Sequence, residues 1–179
     1  MTVQRTSIYR GKVIELSLET MVLPNGQSLS LEIAHHPGGA AIAAVDDQQR
    51  LCLLRQYRHA AGGWIWELPA GKREQGEDPL HTAQRELEEE AGLRAASWHK
   101  LGITLTTPGF CDEIIHLYLA QGLTTVTQRV EAHELLECHW IPCDQAQAWI
   151  YDGTLTDAKS IIGVHLAMTA LKTSQPGKC

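Results

Sequence analysis

No apolar run in the 179-residue sequence approaches the length needed to cross a bilayer. The opening residues Met1-Thr-Val-Gln-Arg-Thr-Ser7 carry neither the basic nor the apolar stretch of a signal peptide. Together these absences lead us to expect a soluble, cytoplasmic protein with no membrane partner. Basic residues are also in short supply: 15 Lys and Arg stand against 21 Asp and Glu, a net charge of −6. That balance argues against a nucleic-acid partner, whose phosphates call for a Lys/Arg patch. A small anionic substrate carried on metal ions stays compatible with it. The five cysteines, Cys52, Cys111, Cys138, Cys143 and Cys179, are odd in number and scattered, unlike a disulfide framework. Cys138, His139 and Cys143 are poorly spaced for zinc, and no second pair follows them. Internal repeats and low-complexity segments are missing as well.

The length suits one compact domain able to bury a core without staples. From Val13 to Leu23, Ile14, Leu16 and Leu18 alternate with Glu15, Ser17 and Glu19, the pattern of a half-buried strand. Turn residues Pro24-Asn25-Gly26-Gln27 follow, and then Leu29, Leu31 and Ile33 alternate with polar neighbours, which completes an antiparallel hairpin. His35-His36-Pro37-Gly38-Gly39 breaks the pattern and reads as a loop, since the two histidines have no acidic or cysteine company in the sequence. We therefore expect an N-terminal hairpin region over residues 1–37, a main domain over 38–172 and a tail over 173–179.

Within the main domain, strands are expected over Ala40–Val45, Leu51–Tyr57, Trp64–Leu68, Trp98–Leu105, Ile114–Ala120 and Cys138–Ile141. Helices are expected from Asp144 to about Tyr151 and, capped by Thr156-Asp157, onward to about Leu171. Strands separated by few helices suggest an α/β (α+β) fold with a mixed sheet packed between helices.

The most informative stretch runs from Gly71 to Leu93. Asp78, with Pro79 behind it, fits a helix N-cap and first turn, and Gly92 fits the stop. Leu80, Ala83, Leu87 and Ala91 recur at three and four residues and should face the core. Glu86, Glu89 and Glu90, at i, i+3 and i+4, share one helix face, whereas Glu88 falls well away from them. Like charges so close cost stability unless a cation offsets them or water screens them. Hard oxygen ligands without Cys or His favour Mg²⁺ or Mn²⁺ over zinc. Three adjacent carboxylates also fit hydrolysis of a diphosphate bond better than glycoside chemistry, which uses two separated ones.

Gly71, Glu77, Arg85, Glu86, Leu87, Glu89, Glu90, Gly92 and Leu93 resemble the Nudix hydrolase box, G-x5-E-x7-R-E-U-x-E-E-x-G-U with U aliphatic, at every fixed position. The resemblance implies a Nudix α/β/α sandwich with a mixed sheet, extended by the N-terminal antiparallel strands. It also implies that Glu86 and Glu90 are the principal ligands of Mg²⁺ (Mn²⁺ allowed), that Glu89 shares or bridges metals, and that the Ala70 carbonyl adds a ligand. Arg85 would orient the box glutamates, with Glu77 in the same supporting set.

Glu67-Leu68-Pro69-Ala70-Gly71, Arg55-Gln56-Tyr57-Arg58, and Pro108 sixteen residues beyond Gly92, are similar to the ADP-ribose pyrophosphatase branch. That likeness brings in Glu113 as the general base on a downstream loop, with Asp112 its competitor, and places Arg58, Glu67 and Pro108 at the substrate. Arg58 is a phosphate or ribose contact by this reading and a surface ion pair by the other. Trp64 or Trp66 could stack a base, although alternation in a strand makes at least one of them core.

The implied activity is Mg²⁺-dependent hydrolysis of a nucleoside diphosphate sugar, with ADP-ribose giving AMP and ribose 5-phosphate as the favoured case. GDP-mannose or another nucleotide sugar, and a nucleotide-sugar sensor without turnover, remain the alternatives. Exchange of the N-terminal strands between subunits, as in related enzymes, would make a homodimer.

Overall fold

The computed structural model describes residues 3–130 and 132–173. Most of the tail expected at 173–179, Cys179 included, lies outside the described residues. The chain forms two compact units, one of residues 1–38 with 105–114 and one of residues 39–104 with 115–179.

The smaller unit is a three-stranded antiparallel sheet in the order β1 (Gln4–Arg10), β2 (Glu15–Val22), β3 (Ser28–His35). The hairpin β2–β3 is the one its alternation foretells, with Glu15 opposite His35 and Val22 opposite Ser28. Strand β1 is an addition. Its residues are exposed along their whole length, so backbone pairing to β2 and the ion pairs Arg5–Glu19 and Arg10–Glu15 hold them, and no burial pattern marks them in the sequence. A second departure concerns His35, which is the last residue of β3 and not part of a loop.

The larger unit carries two sheets. One, in the order β10 (Leu136–Pro142), β5 (Arg50–Arg58), β6 (Gly63–Glu67), is antiparallel. The other runs β7 (Ala70–Lys72), β4 (Gly39–Ala44), β9 (Ile114–Thr125), β8 (Leu93–Leu105), with β4 parallel to β9 and antiparallel to β7. Mixed pairing was expected; the three-residue β7 was not, because a strand so short leaves no period to read.

Side chains alternate across β4, β5 and β9 and feed three buried clusters, two of them large. Ala40, Ile42, Ala44, Cys52, Tyr118 and Ala120 pack with Ala83 and Leu87 of helix α1 (Pro79–Ala91). Ala43, Val45, Leu51, Leu53 and Leu119 pack with Ala146 of α2 (Cys143–Asp152) and with Val164 and Ala167 of α3 (Ala158–Thr173). Successive residues point to opposite faces of a strand, so a near-continuous apolar run is what a sheet covered on both sides requires. No helix among the described residues is long and apolar enough to cross a membrane.

The ends of α1 follow their sequence signals. Asp78 accepts a hydrogen bond from the Leu80 N–H at 2.8 Å, Pro79 opens the helix, and Gly92 closes it at φ 63°. Leu80 and Ala91 are only partly buried but pack on the same core as Ala83 and Leu87. We predict that Leu87→Ala, which empties a fully buried position, costs about 2–5 kcal/mol of unfolding free energy in urea titration. Ile103→Ala, at an exposed position of β8, should stay within about 0.5 kcal/mol of wild type.

Candidate active site

The turn after β6 is pinned from three sides. The Leu68 N–H donates to Ser160 Oγ at 2.8 Å, the Pro69 carbonyl accepts from the Ile42 N–H at 2.9 Å, and Ala70 pairs with Ala41. The Ala70 N–H thus points at α1, where it donates to Glu90 Oε2 at 2.8 Å. Gly71 follows under Glu86. A Cβ built there would lie 2.0 Å from Glu86 Oε1, so any side chain would expel that carboxylate. The need for glycine is one of space, and the group that fills the space is a box glutamate.

Arg85 is the hub of the cluster. Its Nε donates to Glu77 Oε1 and its Nη2 to Glu77 Oε2, both at 3.1 Å. Nη1 reaches Glu86 Oε1 at 2.6 Å and Glu89 Oε2 at 3.0 Å, while Nη2 also meets the Lys72 carbonyl at 3.2 Å. Glu77 further accepts from the Glu74 N–H at 3.0 Å and from Thr82 Oγ1 at 2.8 Å. The Arg85 hydrogen bonds outweigh partial burial and bring the Glu77 pKa down to about 2. The orienting role expected of Arg85, and the place of Glu77 beside it, thus have a geometric basis. Glu88 turns away as its position on the helix requires, onto Arg94 at 2.8 Å.

The remaining carboxylates are less well served. Glu90 is 2% exposed and Glu86 8%. Burial raises the pKa of both, that of Glu90 strongly; the Ala70 N–H only partly opposes it for Glu90, as Arg85 does for Glu86. The charge of Glu134 pushes both further up, a neighbour that no spacing rule could have indicated from a loop 44 residues downstream of Glu90. Among the described residues, no three acidic, histidine or cysteine side chains are already arranged as a cation cage. Arg85 instead draws Glu86 and Glu89 onto one nitrogen. The donor set nonetheless suits a hard divalent cation: carboxylate oxygens around a buried excess of negative charge, with neither imidazole nor thiolate among them. Glu86, Glu89 and Glu90 are the residues that could hold it.

Of the residues assigned to the substrate, Arg58 and Glu67 hold each other. Arg58 Nη2 donates to Glu67 Oε2 at 2.7 Å and Nε reaches both carboxylate oxygens at 3.0 and 3.2 Å, while Lys159 Nζ approaches at 3.2 Å. Trp66 packs on Trp149, with ring centroids 4.9 Å apart, and on His139; Trp64 is 44% exposed and meets Tyr57 edge-on. Trp66 is partly buried against the core and Trp64 is open, a difference that strand alternation does not produce, since i and i+2 share a face. The weak zinc candidates separate, since Cys138 donates to the Glu90 carbonyl at 3.2 Å whereas Cys143, the first residue of α2, is buried in the core shared with α3.

Pro108 and Glu113 belong to the smaller unit. Pro108 sits in a turn closed by the Phe110 and Cys111 N–H groups, which donate to the Thr107 carbonyl at 3.1 and 2.9 Å. Glu113 Oε1 lies 3.0 Å from His36 Nδ1, and Asp112 accepts from His35 Nδ1 at 2.6 Å and from the His36 N–H at 2.8 Å. The two histidines therefore do have acidic company, contrary to their reading as a plain loop. The acids reach them from a segment about 77 residues away, beyond any local pattern.

The depressed pKa of Glu77 carries a stability consequence. A carboxyl whose pKa is lowered in the fold stabilises above its unfolded value of 4.5, and that contribution is lost as pH falls toward about 2. Urea titrations between pH 6 and 2.5 should show Glu77→Gln less stable at pH 6 and with a shallower acid-induced loss than wild type. Parallel curves would remove Glu77 from the balance.

Residues 35–161 match the model of the NUDIX domain. The chain is 37% identical to the ADP-ribose pyrophosphatase of Bacillus subtilis (strain 168) over 91% of its own length and 89% of that protein. It is 38% identical to the methanol dehydrogenase activator of Bacillus methanolicus, with the same coverage. In fold it is similar to a crystal structure of an ADP compounds hydrolase, with a TM-score of 0.83 over 99% of this chain and 95% of that one at 20% identity. With the family's model matched over residues 35–161 and the box glutamates Glu77, Glu86 and Glu89 gathered around Arg85, this chain belongs to the Nudix hydrolase family.

Proposed function

We propose that the protein hydrolyses the diphosphate bond of nucleoside diphosphate sugars in a Mg²⁺-dependent reaction, with ADP-ribose as the favoured substrate and AMP and ribose 5-phosphate as products. The observation that carries this reading is the carboxylate cluster of the buried Glu86 and Glu90 with the half-buried Glu89, beside Ala70 and Gly71. The substrate follows the similar Bacillus subtilis protein, which bears the name ADP-ribose pyrophosphatase. Glu86, Glu89, Glu90 and the Ala70 carbonyl would hold the ions. When bound, these lower the pKa of a water and neutralise charge developing at phosphorus.

The chain's own groups divide the remaining work. Glu113 takes the proton of the attacking water as general base. Arg85 keeps Glu86 and Glu89 in register, so that the acids are oriented before the ions arrive. Arg58, braced by Glu67, offers a guanidinium to the diphosphate, and Pro108 shapes the turn ahead of Glu113. The exposed Ile8, Tyr9, Ile14, Leu18 and Val22 of the N-terminal sheet support assembly into a homodimer through that sheet. Light scattering during size exclusion should then give twice the 19.8 kDa chain mass, and a monomer at micromolar concentration would exclude it.

Chromatography after incubation with Mg²⁺ and a panel of ADP-ribose, ADP-glucose, GDP-mannose, NADH and a nucleoside triphosphate tests the activity. We expect AMP chiefly from ADP-ribose, reduced by at least about 10²-fold in a folded Glu90→Gln variant. GMP from GDP-mannose would keep the mechanism and overturn the substrate. Unimpaired turnover in Glu90→Gln would refute the metal assignment, and tight binding of ADP-ribose without product would identify a sensor.

A further inference from the structure

The end of β3 is strapped to the 105–114 segment at successive residues. The Ala34 N–H donates to the Phe110 carbonyl at 2.7 Å and the Asp112 N–H to the Ala34 carbonyl at 3.2 Å, a short parallel bridge. One residue on, the Asp112 carboxylate binds the His35 ring and the His36 N–H. His35 is itself held, since Ser17 Oγ lies 2.8 Å from its Nε2, Glu19 lies 3.3 Å away and Arg5 packs against the ring. Beyond His36, Gly38 adopts φ 76°, and a Cβ there would lie 2.7 Å from the Ile114 carbonyl oxygen. Backbone therefore closes on backbone on both sides of Glu113, and only glycine allows the approach at Gly38.

Between these anchors His36 Nδ1 faces Glu113 Oε1 at 3.0 Å. An imidazolium attracts the carboxylate at that distance, whereas a bare Nδ1 lone pair would repel it. The Gly38 N–H, 3.1 Å from the same nitrogen, is the donor that Nδ1 accepts from when it carries no proton of its own.

We propose that His36 is the positioning residue of Glu113. It braces the Glu113 carboxylate through Oε1 and so sets the orientation in which the acid meets the attacking water, and Asp112 fixes His36 in turn. The proposal rests on the reading of Glu113 as general base. Asp112 is thereby a scaffold acid and not a rival base: burial pushes its carboxyl up, but the His36 N–H and the His35 ring bring its pKa down on balance.

Steady-state kinetics of the full chain on ADP-ribose with Mg²⁺ test this with His36→Leu, His36→Asn, Glu113→Gln and the Leu/Gln double variant, each checked by thermal melting. Glu113→Gln should lower kcat by about 10²-fold or more. His36→Leu, which fills the ring's space without a nitrogen, should lower kcat roughly tenfold with KM within about twofold of wild type. His36→Asn, whose amide nitrogen can take the Nδ1 position, should recover most of that loss. In the Glu113→Gln background, His36→Leu should cost less than about twofold more, because its only route to the reaction is gone.

A full tenfold loss in both backgrounds overturns the positioning role, as does His36→Asn failing as badly as His36→Leu while melting like wild type. Normal kcat in Glu113→Gln overturns the base reading itself, and the role of His36 with it. If His36→Leu does not fold, His36→Gln against His36→Asn supplies the same contrast, since the glutamine amide reaches toward Nε2 instead of Nδ1.

Discussion

The site depends on one guanidinium shared among three carboxylates. Arg85 spends two nitrogens on Glu77 and a third on both Glu86 and Glu89, and the carbonyl of Lys72 at the end of β7 also accepts from it. A planar fork with five donors can do this, whereas the single ammonium of lysine could not hold Glu77 in two-point contact and still span to Glu86. Because Glu77 precedes the helix and Lys72 lies in β7, the same side chain ties the loop, the short strand and the helix together. Without it, four acids would meet on one helix face and the loop before it with only backbone amides and a hydroxyl to hold them.

That arrangement explains why so much of the local architecture is built from exact fits. Gly71 is open because Glu86 occupies the space of its missing side chain. The Ala70 N–H is aimed at Glu90 because Ser160, Ile42 and Ala41 fix the turn before it. Ser160 is held in turn by Asp157, whose carboxylate accepts from its N–H at 3.0 Å and from its hydroxyl at the start of α3. A residue near the end of the chain therefore positions backbone beside the box, through hydrogen bonds that are shielded from water.

Short periods and local spacings were legible in the sequence. The alternation of β2 and β3, the apolar runs of β4 and β5, the caps of α1 and the shared face of Glu86, Glu89 and Glu90 all follow from residues within a few positions of one another. What the sequence hid was long-range or carried by backbone. Strand β1 buries nothing and has no pattern, β7 is too short to show one, and Glu134 acts on Glu86 and Glu90 across a loop. His35 and His36 looked solitary because Asp112 and Glu113 reach them through the parallel bridge at Ala34 and Cys111, a tertiary contact that residue types alone do not announce.

The carboxylates can be ranked by how many donors each would lose on taking up another partner. Glu67, 3% exposed, has Arg58 in two-point contact and Lys159 besides, so any service to a substrate passes through the Arg58 it holds. Glu77 has Arg85 on both oxygens, Thr82 and the Glu74 amide, and its low pKa marks a carboxylate already satisfied. Glu86 and Glu89 divide one arginine nitrogen between them, and the Glu90 carboxylate has the Ala70 amide with burial and two neighbouring acids working against its charge. A cation entering this cluster gains most from the acids that are least satisfied and disturbs Glu77 least. The count of donors at each oxygen thus ranks Glu86, Glu89 and Glu90 as the acids with most to gain from a cation and Glu77 as the one with least, apart from any motif that places them.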